Sequence, residues 1–162
     1  MLVCIEQGIE EVHRFFTQPD WTLNINGRIT PIKVDQLQVK EIPLKLVDTP
    51  KTYRLNNWLG LNETNQKKYE AINSMVERAA FIEQKLGSSI VAFSKAMQWK
   101  PERRFQVNLL DFTAKKTRLK HKYNRIAFDV KFKADLILPN YIGLGKSVSL
   151  GYGTVIQLNG TD

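Results

Sequence analysis

Four glycines near the carboxyl end of the chain surround a lysine, and together they have the chemistry of an anion-binding loop. Residues 143–153 read Gly-Leu-Gly-Lys-Ser-Val-Ser-Leu-Gly-Tyr-Gly and hold four of the nine glycines of the whole chain. Glycine accepts positive φ and has no side chain, so such a loop can bring backbone amides close to a phosphate. The residues that we assign to this contact are Gly143, Gly145, Lys146, Ser147, Gly151 and Gly153.

Part of this loop also resembles the end of a nucleotide-binding P-loop, in which Gly-Lys-Ser follows an earlier glycine and opens a helix. The tripeptide is present at positions 145–147, but position 140, where the earlier glycine belongs, is Asn. The residues that follow, at 148–153, include a β-branched residue and two glycines, which make a poor helix start. The sequence therefore favours a phosphate-contacting loop over ATP or GTP hydrolysis, and a solvated turn stays open as the alternative.

Positive charge is concentrated in the same half of the chain. The protein has 24 Lys and Arg against 16 Asp and Glu, a formal charge of +8, and 13 basic but only 4 acidic residues lie between Lys95 and Lys146. Focused charge of this kind is typical of nucleic-acid-binding proteins, although a solvated basic face has the same composition. A nucleic-acid backbone is the partner that the charge favours.

A second basic cluster surrounds His121. Two predicted strands, at 105–112 and 125–132, should meet in a hairpin, and the cluster lies on their connection. Its members are Lys115, Lys116, Arg118, Lys120, His121 and Lys122. We predict that they form one exposed positive tip that contacts phosphate. His121 is either one further phosphate or base contact or the candidate for proton transfer, because the ordinary pKa of histidine lies near neutrality. For His13, on the first predicted helix, we predict a packed or half-buried structural role.

The first third of the chain predicts a short series of elements. Apolar spacing, a two-residue hairpin signal and a proline within an extended segment define them. They are a strand at 1–6, a helix that begins at Gly8 and ends before Pro19, a hairpin turn at Asn26-Gly27, and an edge strand or connecting arm at 34–47. We place a domain boundary at Thr49-Pro50.

The rest of the chain predicts helices followed by strands. The expected elements are a strand at 53–55, a helix capped by Asn62 or Thr64 and ended by Gly87, a helix from Ser88 or Ser89 to Gln98, and strands at 105–112, 125–132 and 153–158. The helix caps and the terminal glycine follow common end signals. The order of elements indicates an α+β fold.

Composition excludes several classes of protein. The apolar runs fall far short of the roughly 20 residues that span a bilayer, so we expect no membrane contact. No signal peptide is recognisable, and the single Cys4 cannot form an internal disulfide, so we expect a cytoplasmic protein. The acidic residues and the lone cysteine suggest no metal site.

The glycine loop has the spacing of a known family signature. The loop has two Gly-x-Gly units in which x is apolar, and they are separated by five residues that include a lysine. This pattern resembles the carboxyl-terminal signature of the CRISPR-associated endoribonucleases that mature guide RNA. These enzymes belong to the repeat-associated (RAMP) superfamily, and the chain is most similar to their "Cas six" family, subtype b. The resemblance extends to 128–132, 138–146, 87–99 and the amino-terminal segment 5–11.

The resemblance implies an α+β chain of two ferredoxin-like (RRM-like) domains, each ideally β-α-β-β-α-β. By comparison with this domain pattern, residues 49–162 are expected to form a complete carboxyl-terminal domain. Residues 1–48 form a partial domain with a strand, a helix, a strand and an arm, and the family's upstream segment is missing. An exposed sheet edge at that point favours pairing with another chain. The resemblance therefore predicts a homodimer or a partner chain that completes the first domain.

The resemblance also implies a substrate and a reaction. The family binds CRISPR repeat RNA and cuts it without a metal or cofactor, through attack of a ribose 2′-hydroxyl on the adjacent phosphate to give a cyclic phosphate. The histidines usually credited with cleavage lie in the missing amino-terminal part, so none carries over to this chain. Two functions stay open: processing of precursor guide RNA, or RNA binding by a non-catalytic subunit or truncated remnant of the family.

Overall fold

The computed structural model describes residues 8–36, 40–119 and 123–158. The chain divides into two compact units, Met1–Ile42 and Pro43–Asp162. The strand predicted at 1–6 lies outside the described residues, as do Lys120, His121 and Lys122 of the basic cluster.

The described residues of the amino-terminal unit form one helix and one hairpin. Helix α1 spans Gly8–Phe16, and strands β1 (Thr22–Ile25) and β2 (Arg28–Pro31) pair in antiparallel register. Asn26 and Gly27 form the turn with φ of 53° and 84°, as a type I′ turn requires. The predicted helix and hairpin are confirmed.

The carboxyl-terminal unit is built on a four-stranded antiparallel sheet. Its strands are β3 (Leu46–Trp58), β4 (Val107–Leu119), β5 (Tyr123–Leu136) and β6 (Thr154–Leu158). They lie side by side in the order β4-β5-β3-β6. This order is that of a ferredoxin-like sheet, in which the first and third strands lie in the centre. The predicted fold class is confirmed.

One face of this sheet is buried against helices. Phe128, Val130 and Phe132 of β5 belong to the core, together with Tyr69 and Ile82 from the helices. Successive side chains of a strand alternate between the two faces, so the residues between these apolar ones lie on the opposite face. The sheet therefore has an apolar face under the helices and a polar face that carries charge.

Two helices cover the apolar face. Helix α2 spans Glu63–Ala71 and begins at one of the two predicted caps, Asn62, whose side chain accepts the amide of Asn65. Helix α3 spans Met75–Ala96. In the described part of the chain no helix combines the length and apolar character needed to cross a membrane. The cytoplasmic location stays a prediction.

The predicted helix end at Gly87 is wrong, because Gly87 lies inside α3. The break comes at residues 72–74 instead, where the hydroxyl of Ser74 accepts the amide of Glu77. Ser74 and Glu77 have the spacing of a capping box, which marks a helix start. A terminal glycine would adopt positive φ, and Gly87 does not.

Strand β3 runs through the predicted domain boundary. Thr49 and Pro50 lie inside this strand, and the division between the two units falls after Ile42. The register of β3 against β5 shifts between Leu46 and Lys51. Such an irregularity tolerates proline, which has no N–H for a regular ladder. The first strand of the carboxyl-terminal unit therefore begins before the predicted boundary.

A long segment connects β5 to β6 in place of the second helix of an ideal ferredoxin-like domain. Its helical content among the described residues is one 3₁₀ turn, Val148–Leu150. The amide of Tyr141 donates to the carbonyl of Val155 (2.7 Å), and the amide of Val155 donates to the carbonyl of Ile142 (2.9 Å). The segment thus runs along β6 and fixes the glycine loop beside the sheet. The domain predicted as complete has its four strands and first helical layer but lacks the second helix.

Candidate nucleic-acid interface

The glycine loop is hydrogen-bonded to the end of the sheet. The amide of Lys146 donates to the carbonyl of Leu59 (3.1 Å), and the amide of Leu144 donates to the carbonyl of Gly153 (2.8 Å). The amide of Gly153 donates to the carbonyl of Asn56 (3.0 Å). This bond corrects the role predicted for Gly153, because an amide committed to the sheet does not serve a phosphate.

Close packing explains the first two glycines of the loop. A Cβ on Gly143 would overlap the side chain of Val148. A Cβ on Gly145 would come within 2.8 Å of the indole nitrogen of Trp58, which is fully buried. These glycines therefore allow the loop to fold back on itself and on the core.

The basic cluster lies in a strand over the part that the structure describes. Lys115, Lys116 and Arg118 all belong to β4, which pairs with β5 over this stretch. Threonine and tyrosine favour extended structure, and Thr117 and Tyr123 carry the ladder past the predicted strand ends. These three residues therefore lie within a strand and not at the predicted tip of the hairpin, while Lys115 and Lys116 are exposed as predicted. Their contact with a phosphate backbone stays a prediction.

A groove of about 380 Å³ lies where β4 meets the glycine loop. The hydroxyl of Tyr152 lies 3.1 Å from Oγ1 of Thr117, so a hydrogen bond joins the two segments. The lining consists of Lys115, Lys116 and Thr117 from β4, Leu150, Gly151 and Tyr152 from the loop, Asn57 from β3 and Ala127 from β5. The fold thus brings together two segments that the sequence marked separately.

Other predicted residues lie away from this groove. Lys146 is exposed on the loop but does not line the groove, and Gly143, Gly145 and Ser147 do not line it either. Of the predicted loop residues, Gly151 lines the groove, and it does so with Lys115 and Lys116 of the basic cluster.

Asp129 stabilises one side of the groove. Its carboxylate accepts the amide of Asn57 (2.8 Å) and pairs with the ammonium of Lys115. Burial would raise the pKa of Asp129, but the Asn57 amide and the charges of Lys115 and Arg54 outweigh burial and hold this pKa below its ordinary value. A lowered carboxyl pKa stabilises the folded state above the ordinary value of about 3.9, and the stabilisation is lost as pH falls through the lowered pKa. At neutral pH Asp129 is therefore ionised and paired.

Sequence reasoning missed Asn57, Thr117 and Asp129. The alternation of apolar and charged residues in β5 carries a signal for Asp129, since it puts this carboxylate on the polar face of the sheet. No local pattern marks Asn57, because its position depends on a shift of register between β3 and β5.

The described histidine and acidic residues do not form a second site. Among residues 8–36, 40–119 and 123–158, no three His, Cys, Asp or Glu side chains come together as metal ligands would. His13 is exposed on α1, so the predicted packed position is wrong. Of the described residues that line the groove, none is a histidine, and His121 lies outside the described part of the chain.

The antiparallel sheet order, the helices on one face and the basic groove beside a glycine-rich loop define a ferredoxin-like protein with a candidate nucleic-acid interface. Residues 45–158 match the Cas6b C-terminal domain. Because this match covers most of the chain, the protein belongs to the Cas6b family. The predicted family resemblance is confirmed.

Individual proteins are similar to the chain in sequence or in fold. An uncharacterised protein of Methanocaldococcus jannaschii is 27% identical over 138 residues, which are 84% of this chain and 92% of that one. A crystal structure of Cas6b and one of the CRISPR RNA processing endoribonuclease Cas6b each superpose with a TM-score of 0.67 at 24% identity over 72% of this chain. The matched parts are 68% and 59% of those two chains, and these likenesses show a shared fold.

A more distant structure has the same architecture. Csf5, a type IV Cas6 crRNA endonuclease, superposes with a TM-score of 0.51 at 18% identity, over 72% of this chain and 46% of its own.

Proposed function

We propose that the protein binds CRISPR repeat RNA in the groove between β4 and the glycine loop and that it processes precursor guide RNA. Membership of the Cas6b family supports the substrate, and one similar structure is a CRISPR RNA processing endoribonuclease. The observation that carries the proposal is the groove itself, where Lys115 and Lys116 lie opposite Gly151 and Tyr152.

The chemistry of the groove suits a short length of RNA strand. Its volume of about 380 Å³ is near the lower end of the range for ligand pockets, roughly 300 to 1,000 Å³. Lys116 offers an exposed cation to a phosphate. The ring of Tyr152, held by Thr117, offers a surface for base stacking, which contributes about 1 to 3 kcal/mol per base.

Positive charge outside the groove would extend this contact along the RNA. Lys146 is exposed on the glycine loop, and we retain it as a phosphate contact. Arg118, Lys120 and Lys122 follow the groove lysines in the sequence, and we propose that they contact further phosphates. Such contacts position an RNA strand without reading its sequence.

The proposed cleavage needs no metal. The ribose 2′-oxygen attacks the adjacent phosphorus and loses its proton to a base. The 5′-oxygen leaves with a proton from an acid, which gives a cyclic phosphate and a 5′-hydroxyl. The Lys116 ammonium would stabilise the negative charge that develops on the phosphorus substituents. His121 is the candidate of this chain for the proton transfers, because a histidine pKa lies near neutrality.

The groove lining favours a second candidate function, that of a non-catalytic RNA-binding subunit. Among the described residues its polar side chains are lysine, threonine, tyrosine and asparagine, and none of these has an ordinary pKa near 7. Such residues hold RNA well but exchange protons poorly at neutral pH.

One assay separates the two functions. Labelled repeat RNA is incubated with the wild type, Lys116→Ala and His121→Ala in EDTA, and both binding and products are measured. Processing predicts a product with a cyclic phosphate from the wild type, its loss in His121→Ala, and weaker binding by Lys116→Ala. Retention of uncut RNA by the wild type would assign the non-catalytic role.

The matched control is Lys67→Ala, which removes an exposed lysine from α2, and it should bind as the wild type does. If the wild type binds repeat RNA no better than a scrambled RNA of equal length, both functions are excluded.

A homodimer or a partner chain that completes the amino-terminal unit is part of this proposal. The hairpin of β1 and β2 exposes Leu23 (43%), Ile25 (50%) and Ile29 (75%). An isolated two-stranded hairpin has little stability in water, so an additional strand from another chain would stabilise it.

A further inference from the structure

Asn57 lies at a β-bulge that faces the groove. Strand β3 advances from Leu55 to Trp58 while β5 advances only from Val130 to Phe128, so β3 holds one extra residue. Asn57 has a φ of 49°, in the left-handed region. Bulges beside functional sites commonly redirect a side chain out of the regular strand pattern.

Hydrogen bonds hold the backbone of this bulge on both sides. The amide of Asn57 donates to the carboxylate of Asp129 (2.8 Å). The amide of Gly153 donates to the carbonyls of Asn56 (3.0 Å) and Asn57 (3.3 Å). Trp58, which follows, is fully buried. The bulge is therefore fixed between β5 and the glycine loop.

The side chain of Asn57 is exposed and lines the groove. In the part of the chain that the structure describes, its carboxamide takes part in no hydrogen bond, while the hydroxyls of Thr117 and Tyr152 bond to each other. A carboxamide has two N–H donors and one acceptor oxygen, whereas the lysines of the groove only donate. Asn57 can thus form a paired donor and acceptor contact with a ligand.

We infer that Asn57 reads the base edge of one unpaired nucleotide in the groove and is a specificity-determining residue. The inference rests on the proposed function. Phosphate contacts carry no sequence information, and proteins read RNA sequence on the edges of unpaired bases. Adenine is the base whose amino group and ring nitrogen fit a carboxamide best.

Asn57→Gly tests the inference, because glycine keeps the left-handed backbone without strain and removes the carboxamide. Asn26→Gly is the matched control, since Asn26 also has a left-handed φ (53°) but lies in the turn of the amino-terminal hairpin. Affinity is measured for the parent repeat RNA and for variants in which each unpaired base is replaced in turn. Thermal unfolding of both variants verifies that they fold.

We expect the wild type and Asn26→Gly to discriminate at one unpaired position by roughly 5- to 150-fold. Asn57→Gly should lose this discrimination and keep the salt dependence of binding. A merely structural defect of the groove would change the salt dependence as well. If Asn57→Gly keeps the discrimination at every position, the inference is overturned while the proposed function stands. Failure of the wild type to prefer repeat RNA overturns both.

Discussion

Gly151 and Gly153 share a left-handed backbone but differ in their surroundings. Their φ values are 85° and 73°, a region that costs alanine about 1 to 2 kcal/mol. A Cβ at Gly151 would meet no atom within 4 Å, whereas a Cβ at Gly153 would overlap the carbonyl oxygen of Leu144. A backbone atom cannot move aside as the end of a flexible side chain can.

We therefore predict that Gly151→Ala destabilises the protein by about 1 to 2 kcal/mol, and that Gly153→Ala costs a further 1 to 3 kcal/mol or so from overpacking. Urea denaturation of both variants measures the difference. Equal free energies of unfolding would contradict the role of Gly153 in closing the loop onto the sheet.

Residue types and spacing identified the loop and the basic cluster, but they did not predict which residues pack against the core and which charges are paired. The sequence predicted one role for all four glycines, whereas Gly143, Gly145 and Gly153 serve packing and Gly151 lies at the groove. Neighbours distant in sequence decide this difference. The same limit applies to Lys115, whose charge is paired with an aspartate that the cluster does not contain.

At the level of secondary structure, Gly87 is an interior residue of α3. A Cβ at this position would meet no atom within 4 Å. Glycine in a helix interior is less favourable than alanine by roughly 0.5 to 1 kcal/mol. Gly87→Ala should therefore stabilise the protein by about that amount in thermal or chemical unfolding.

The sign of this change tests the position of the helix break. If Gly87 ended a helix with positive φ, as its type suggested, alanine would destabilise the protein instead. Ser74→Ala is the complementary variant, because it removes the cap of α3 and should cost about 1 kcal/mol.

Secondary structure was predictable where the signal is local. The hairpin at Asn26-Gly27 and the cap at Asn62 were both predicted because turn and cap residues act on their own neighbours. The break before α3 was missed because Gly87 gave a competing end signal. The length of β4 was missed because its second half is stabilised by pairing with β5, which local propensity does not describe.

For the whole molecule, the order of the strands could not be derived from local patterns. The pairing of β3 with β6 joins residues about a hundred positions apart, and it was accessible only through the family resemblance. The groove follows from the same long-range pairing, since β3, β4, β5 and the glycine loop all contribute to it. Net charge was predictable from composition, but its local pairing was not.

The adjacent lysines of the groove should differ in their contribution to RNA binding. Lys115 is paired with Asp129, whereas Lys116 forms no ion pair among the described residues. Release of counterions from RNA scales with the net positive charge that meets its phosphates, so each phosphate contact adds about 0.7 to 0.9 to the slope of log affinity against log salt. We predict that Lys116→Ala lowers the magnitude of this slope by about that amount and that Lys115→Ala lowers it less, while Lys67→Ala leaves it unchanged. Binding titrations across a series of salt concentrations measure the three slopes. Because the three variants lose the same formal charge, equal slopes would mean that net charge, and not the groove, governs binding.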